Sequence, residues 1–166
     1  WHCVDYWAGR KPDAEAVVFG ERRMPWRELR DEVDAAARAL MELGVRRGDR
    51  VAMVAMARPE FLVSFMAAAK VGAIWVGMSP KFTLEELHYQ VKDCQPRVLI
   101  AQARFQDLDL GARVRAMPGR FACLEKVLVL DAEDGDEDGY AAFMARPRPE
   151  QRRHGLWRGA VLHHDS

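Results

Sequence analysis

Residues 49–78, DRVAMVAMARPEFLVSFMAAAKVGAIWVGM, contain the pattern that decides the fold. The apolar run over 51–57 shows no alternation of polar and apolar residues, which is typical of a strand buried on both faces. Pro59 then begins a helix that is apolar nearly all round and ends at Gly72, and a second buried strand follows over 73–79. The stretch therefore predicts a strand, a helix and a strand, with the helix packed against a sheet.

The same alternation of elements continues on both sides of this stretch. Upstream, 15–24 has the pattern of a hairpin, and apolar residues spaced by three and four predict an amphipathic helix from Trp26 to a stop at Gly44. Thr83 and Glu86 form the capping box of another helix. The elements predicted downstream are a helix over 84–94, a strand over 97–101, a helix over 104–116, a strand over 126–130 and a short helix over 140–145.

Strands that alternate with helices in this way predict an α/β fold. We expect a parallel sheet with right-handed crossovers and with helices on both faces. We place the well-packed α/β domain at residues 1–145. The arginine- and proline-rich sequence that follows buries little, so we interpret 146–166 as an irregular tail.

Composition excludes several classes of function. The 166 residues include 25 basic and 25 acidic side chains, so no net field favours nucleic acid or an anionic membrane surface. No stretch approaches the roughly 20 apolar residues that a membrane span needs. Cys3, Cys94 and Cys123 form no CxxC pair, which argues against a disulfide framework and against a zinc knuckle. This cysteine usage fits a reducing, cytoplasmic location.

Two motifs suggest a metal site, and we reject both. Asp134, Asp136, Asp138 and Gly139 match the first half of a calcium-binding EF-hand loop, but Ala145 stands where the bidentate glutamate belongs. We therefore predict a solvated acidic loop. The adjacent histidines 163 and 164 point in different directions on any regular element and cannot share one metal ion without further ligands.

No catalytic constellation is visible in the residues themselves. The sequence contains neither GxGxxG nor a Walker A loop, and neither Ser64 nor Ser79 lies in a GxSxG motif. We interpret Cys94, near a helix end, as a structural thiol. We assign four large apolar side chains to the core and not to a ligand pocket: Phe61, Phe65, Met66 and Trp75.

Two long blocks carry a family resemblance. Residues 9–53 contain a PD pair, an apolar hairpin, an EL helix and a GV…GDRVA turn and strand; residues 58–101 follow the pattern PEF…A…K.GA…NP..T..EL.Y…D…VLI. Both blocks resemble the N-terminal portion of the adenylate-forming ligases, the superfamily of acyl-CoA synthetases, luciferases and peptide-synthetase adenylation domains. The likeness is strong over 5–105 and looser over 106–145. The segments SPKFTLEELHY and QPRVLIA resemble the fatty-acyl-CoA synthetase branch more than the other branches of the superfamily.

The resemblance implies a two-step reaction and its cofactors. In the family, a carboxylate attacks the α-phosphate of ATP to give an acyl-adenylate and pyrophosphate, and the thiol of CoA then displaces AMP. Magnesium assists by offsetting phosphate charge. The family's phosphate loop, TSGTTGxPKG, surrounds the triphosphate with backbone N–H groups and small hydroxyls.

The tail resembles the end of that loop. In GLWRGAVLHHDS, Gly155 and Gly159 stand in place of the glycines of GxPKG, Arg158 stands at the lysine position, and His164 stands at the family's histidine. The resemblance therefore implies a nucleotide-binding remnant at these four residues. The front half departs from the family, because 150–154 read EQRRH where TSGTT belongs.

We accordingly assign no catalytic residue and expect this chain alone to be inactive. We interpret it as the first subdomain of an acyl-CoA synthetase-like protein that ends at a damaged phosphate loop. The alternative is a non-catalytic α/β module that binds a partner or a nucleotide. An apolar face, left uncovered where the rest of the large domain packs in the family, would favour self-association.

Overall fold

The fold is an α/β sandwich of helices around a parallel sheet, described here from a computed structural model of residues 2–133 and 135–145. The helices are α1 (His2–Arg10), α2 (Trp26–Glu42), α3 (Pro59–Val71), α4 (Leu84–Cys94), α5 (Leu110–Arg115) and α6 (Tyr140–Ala145). The strands are β1 (Glu15–Phe19), β2 (Arg22–Pro25), β3 (Arg50–Val54), β4 (Ile74–Met78), β5 (Val98–Gln102), β6 (Arg104–Phe105), β7 (Leu108–Asp109) and β8 (Lys126–Leu130).

The main sheet has four parallel strands in the order β4-β3-β5-β8. Its register sets Ala52 of β3 beside Leu99 of β5, and Leu99 beside Val127 of β8. Apolar runs without alternation form these strands because both faces of the sheet are covered. The structure thus confirms the predicted parallel sheet, and it also confirms the hairpin, which β1 and β2 form as an antiparallel pair.

Helices cover both faces of the sheet, as predicted. Side chains on one face of the sheet, such as those of Met53 and Ile100, pack in a core with α2, α3 and α6. Side chains on the other face, such as those of Ala52 and Leu99, pack in a second core with α4 and α5. None of the helices in residues 2–133 and 135–145 has the length and apolarity needed to cross a membrane.

Local sequence signals mark the beginning of α4 and the end of α3 where the sequence predicts them. Thr83 Oγ1 accepts the Glu86 N–H at 3.2 Å, and a Glu86 carboxylate oxygen accepts the Thr83 N–H at 2.7 Å. Gly72 ends α3 in the left-handed conformation (φ 78°), which suits a residue without Cβ. The capping box and the end of α3 at Gly72 are both confirmed.

Three features differ from the sequence predictions. α1 was not predicted; it packs through Val4 and Ala8 and through an ion pair of Asp5 with Lys70 at 3.6 Å. The helix predicted over 104–116 is wrong in its first half, because β6 and β7 form a hairpin there and Asp109 caps a helix that begins only at Leu110. The strand predicted over 51–57 ends earlier, at Val54.

Candidate functional site

The carboxyl ends of β3 and β5 mark the point where the sheet changes direction. From β3 the chain runs through α3 to β4 on one side, and from β5 it runs through α5 to β8 on the other. α3 and α5 lie on opposite faces of the sheet, so the two connections diverge. In open α/β sheets, ligands bind at such a switch point, outside the carboxyl ends of the strands. This edge is therefore the candidate site.

Gln102 holds the centre of this edge together. It is the last residue of β5, it is 9% exposed, and its Oε1 accepts the Met56 N–H at 2.7 Å. Its Nε2 donates to the Arg104 carbonyl at 2.6 Å. One side-chain amide thus ties the loop after β3 to the turn after β5. Sequence reasoning missed Gln102, because a single glutamine at a strand end carries no signal of its own.

Arg58 and Asp131 link two loops at the same edge. The guanidinium donates to both carboxylate oxygens of Asp131, at 2.6 and 2.9 Å, and Arg58 Nε donates to Glu60 at 2.7 Å. The hydrogen bonds from Arg58 hold the pKa of Asp131 below its ordinary value, and the same bonds raise the pKa of Arg58. The loop after β3 is therefore clamped to the loop after β8.

The described acidic residues of the loop after β8 are exposed or partly exposed, as predicted for a solvated loop, but Asp136 and Asp138 also have basic partners. Arg115 forms an ion pair with Asp136, and Lys126 Nζ lies 2.6 Å from Asp138. The Asp138 N–H also donates to Asp136 Oδ1 at 2.9 Å. Asp136 and Asp138 nevertheless keep 25% and 35% of their side chains exposed, so these carboxylates are both solvated and paired with basic residues.

Two cavities flank this loop at the carboxyl edge. One, of about 470 Å³, is lined by residues that include Arg104 and Arg115; the other, of about 420 Å³, is lined by residues that include Arg58 and Tyr140. Burial raises the pKa of the Tyr140 phenol, so it stays protonated at neutral pH. Within residues 2–133 and 135–145, no group of three or more His, Cys, Asp or Glu side chains is placed to hold a metal ion.

The sequence's candidate nucleophiles have structural roles. Ser64 is 2% exposed; its hydroxyl donates to the Phe61 carbonyl at 3.1 Å and accepts the Trp75 indole N–H at 3.2 Å. Ser79 Oγ accepts the Lys81 N–H at 3.2 Å within its own turn. Burial raises the pKa of the half-buried Cys94 thiol, which disfavours the reactive thiolate.

Three of the four side chains assigned to the core, Phe61, Met66 and Trp75, are partly buried and pack against it, whereas Phe65 is exposed. Phe65 is 43% exposed, and the Trp75 ring contacts Phe61 and Phe65 with centroids 4.5 and 5.6 Å away. A Cβ at Gly77 would stand 2.8 Å from the Trp75 ring, so glycine lets that ring lie along β4. The core assignment of Phe65 is therefore wrong: this residue of α3 lies against Trp75 of β4, an edge strand of the sheet, and stays exposed.

The predicted nucleotide-binding remnant cannot be placed against this edge. Gly155, Arg158, Gly159 and His164 lie outside the described residues, and so does Asp134 of the acidic motif. At this edge, Gln102 and the Arg58–Asp131 pair hold the loops in position. Among the described residues it brings together no nucleophile with a base.

Comparison with known proteins shows the family of this chain. The model of the AMP-binding enzyme family matches residues 4–158. The chain is 32% identical over 140 residues to an acetyl-coenzyme A synthetase of Coprinopsis cinerea, covering 78% of this chain and 21% of that protein. It is 30% identical over 146 residues to the acyl-CoA ligase sidI of Aspergillus fumigatus, covering 82% of this chain and 25% of that protein.

A solved structure has a fold similar to that of this chain. The acetoacetyl-CoA synthetase from Streptomyces lividans superposes with a TM-score of 0.68 at 28% identity, over 81% of this chain and 23% of that one. This chain therefore spans a quarter or less of the length of each of these three relatives.

Proposed function

This chain belongs to the AMP-binding enzyme family, and we propose that it is the N-terminal subdomain of an acyl-CoA synthetase. In the parent reaction a carboxylate oxygen attacks the α-phosphorus of ATP, and pyrophosphate leaves with the electron pair of the broken P–O bond. The sulfur of CoA then attacks the acyl carbon, and AMP leaves. The family match over 4–158 is the observation that carries the proposal, and the sequence wording favours a fatty acid as the carboxylate.

The described residues supply the scaffold of this enzyme. Gln102 and the Arg58–Asp131 pair fix the loops at the carboxyl edge, next to which a substrate would bind. A rigid edge limits the motion of any group that the rest of the protein presents there. We therefore give these side chains a positioning role and no chemical step.

The described residues do not fit a resident magnesium site. Within residues 2–133 and 135–145 no cluster of His, Cys, Asp and Glu is placed to hold the ion, and three carboxylates at the carboxyl edge, Asp131, Asp136 and Asp138, already pair with Arg58, Arg115 and Lys126. We therefore route no step through magnesium in this part of the chain. Contact with the phosphates of ATP is assigned to the remnant at Gly155, Arg158, Gly159 and His164.

We further propose that this chain alone does not catalyse the reaction. The segment EQRRH at 150–154 lacks the glycine and the hydroxyl donors of TSGTT, so the triphosphate loses those hydrogen bonds. We also propose that the protein is cytoplasmic, and that the isolated chain self-associates through the apolar edge at Ile74.

Restoring the loop tests the assignment of the remnant. We would replace 150–154 by TSGTT and measure the dissociation constant of ATP by calorimetry, with TSTTG at the same positions as the matched control. Several new hydrogen bonds to phosphate should tighten binding by about tenfold or more in TSGTT only. Equal affinities of the two variants would show that 150–159 is not the remains of a phosphate loop.

A further inference from the structure

A groove of about 670 Å³ lies between α2, α3 and α6, on one face of the sheet. Its floor is apolar and includes Ala35 of α2, Val63 of α3 and Met144 of α6. Ala145, the last residue of α6, also lines it. The described chain therefore ends at the wall of this groove.

The rim of the groove is acidic. Glu28, Asp31, Glu32 and Glu60 line it, and Arg22 is shared among three of them, at 2.6 Å from Glu32, 3.5 Å from Glu28 and 3.6 Å from Glu60. The other lining cation, at position 27, is already paired with the carboxylate at position 13. Glu60 is also bound by Arg58 Nε at 2.7 Å, so the excess of negative charge on the rim lies at Glu28, Asp31 and Glu32.

Two of the carboxylates are open to a further partner. The side chains of Glu28 and Asp31 are 45% and 59% exposed, although Asp31 also accepts a hydrogen bond from its neighbour Arg30 at 2.8 Å. The pKa of Glu32 is raised, first by burial and then by the charges of Glu28 and Glu60. A cation brought to this rim would relieve that repulsion.

The sequence directly after the groove is rich in cations. Residues 146–153 read RPRPEQRR, with four arginines and one glutamate. Eight extended residues reach about 26 Å, whereas the rim from Glu28 to Ala35 runs about 11 Å along α2. The two prolines restrict the backbone, which lowers the entropy lost when such a segment binds.

We propose that segment 146–153 docks into this groove of its own chain and pairs its guanidinium groups with Glu28 and Asp31. Arginine suits the role because its planar fork matches a carboxylate with two hydrogen bonds. The segment also covers apolar surface of the groove at Ala35 and Ala141, which is partly exposed. This inference is independent of the proposed ligase ancestry, since it rests on the groove and on the charges alone.

Disulfide cross-linking in the full chain tests the docking. Cys3, Cys94 and Cys123 are first replaced by alanine, and Ala35→Cys in the groove is combined with Glu150→Cys in the segment, which keeps all four arginines. The rate of disulfide formation under a copper–phenanthroline oxidant is then measured on non-reducing gels. Circular dichroism checks that each variant is folded.

Charge reversal in the groove supplies the decisive comparison. Glu28→Lys with Asp31→Lys should slow the cross-link about tenfold, and about 1 M NaCl should remove most of that difference. The matched reversal Glu85→Lys with Asp93→Lys, on α4 at the other face of the sheet, should change the rate less than about twofold. A groove reversal without effect would overturn the proposal. So would covalent dimers in place of the intramolecular link, because a second copy would then be the occupant.

Discussion

β5 and β4 are parallel strands of the same length and similar apolar sequence, yet their surroundings differ. Every residue of β5 is buried, whereas β4 is buried only at Met78. β5 pairs with a strand on each side, whereas β4 is at one edge of the described sheet. β8 is at the other edge, yet four of its five residues are buried. Apolar sequence therefore predicts that a strand forms, but neither that sequence nor the edge position alone decides how deeply its side chains are buried.

The same substitution, isoleucine to alanine, made once in β5 and once in β4, tests this difference between the two strands. Ile100→Ala in β5 removes a side chain that is 2% exposed and should lower the free energy of unfolding by about 3 kcal/mol. Ile74→Ala in β4 removes a side chain that is 54% exposed and should cost about 0.5 kcal/mol or less. Urea titrations of both variants measure the difference. Equal losses would mean that the edge is packed as tightly as the centre.

A smaller effect is expected at the carboxyl end of β5. Gln102→Ala leaves the Met56 N–H and the Arg104 carbonyl without their partner and should cost about 1–2 kcal/mol. Hydrogen exchange should also become faster at the Met56 amide. Gln90→Ala on α4 is the control and should leave that amide unchanged. An unaffected Met56 amide in Gln102→Ala would show that Gln102 does not hold the two loops.

The smallest effect concerns pH. Arg58 lowers the pKa of Asp131, so the folded state binds a proton less readily than the unfolded chain, and the pair stabilises the fold above pH 3.8, the ordinary pKa of aspartate. That contribution is lost as the pH falls below this value. Asp131→Asn removes this titrating group. The free energy of unfolding that the protein loses between neutral and acid pH should therefore become smaller, by less than about 1 kcal/mol.

The matched control for this pH profile is Asp93→Asn on α4. Asparagine also tolerates the positive φ of 55° at position 131, so the backbone there need not change. Thermal melts between about pH 3 and pH 7 provide the measurement. If Asp131→Asn loses stability in acid as steeply as Asp93→Asn does, the Arg58 clamp contributes nothing.

Local patterns predict much of this fold. The unit β3-α3-β4 follows from uninterrupted apolar runs around a proline and a glycine, and the start of α4 follows from Thr83 and Glu86. One error arises where distant contacts decide. α1 depends on packing and on the Asp5–Lys70 pair. The error after β5 is local instead, because the hairpin of β6 and β7 turns back at Gln106, whose φ is 52°.

The candidate site is harder to predict, because contacts between distant residues form it. Gln102 meets Met56 across 46 positions of sequence, and Arg58 meets Asp131 across 73. No short motif marks either pair, because each residue is ordinary until the sheet order brings the strand ends together. The resemblance to ligases is visible in the sequence because it lies in contiguous blocks, such as 58–101.

Carboxylate-dependent ATP–pyrophosphate exchange tests the central claim most directly, namely that this chain is a ligase scaffold without a working ligase site. The assay uses the full chain with acetate and with medium- and long-chain fatty acids, and the acetyl-coenzyme A synthetase of Coprinopsis cinerea serves as the positive control. We predict no exchange above the protein-free background for any acid. Exchange by this chain that depends on one of these acids would contradict the claim.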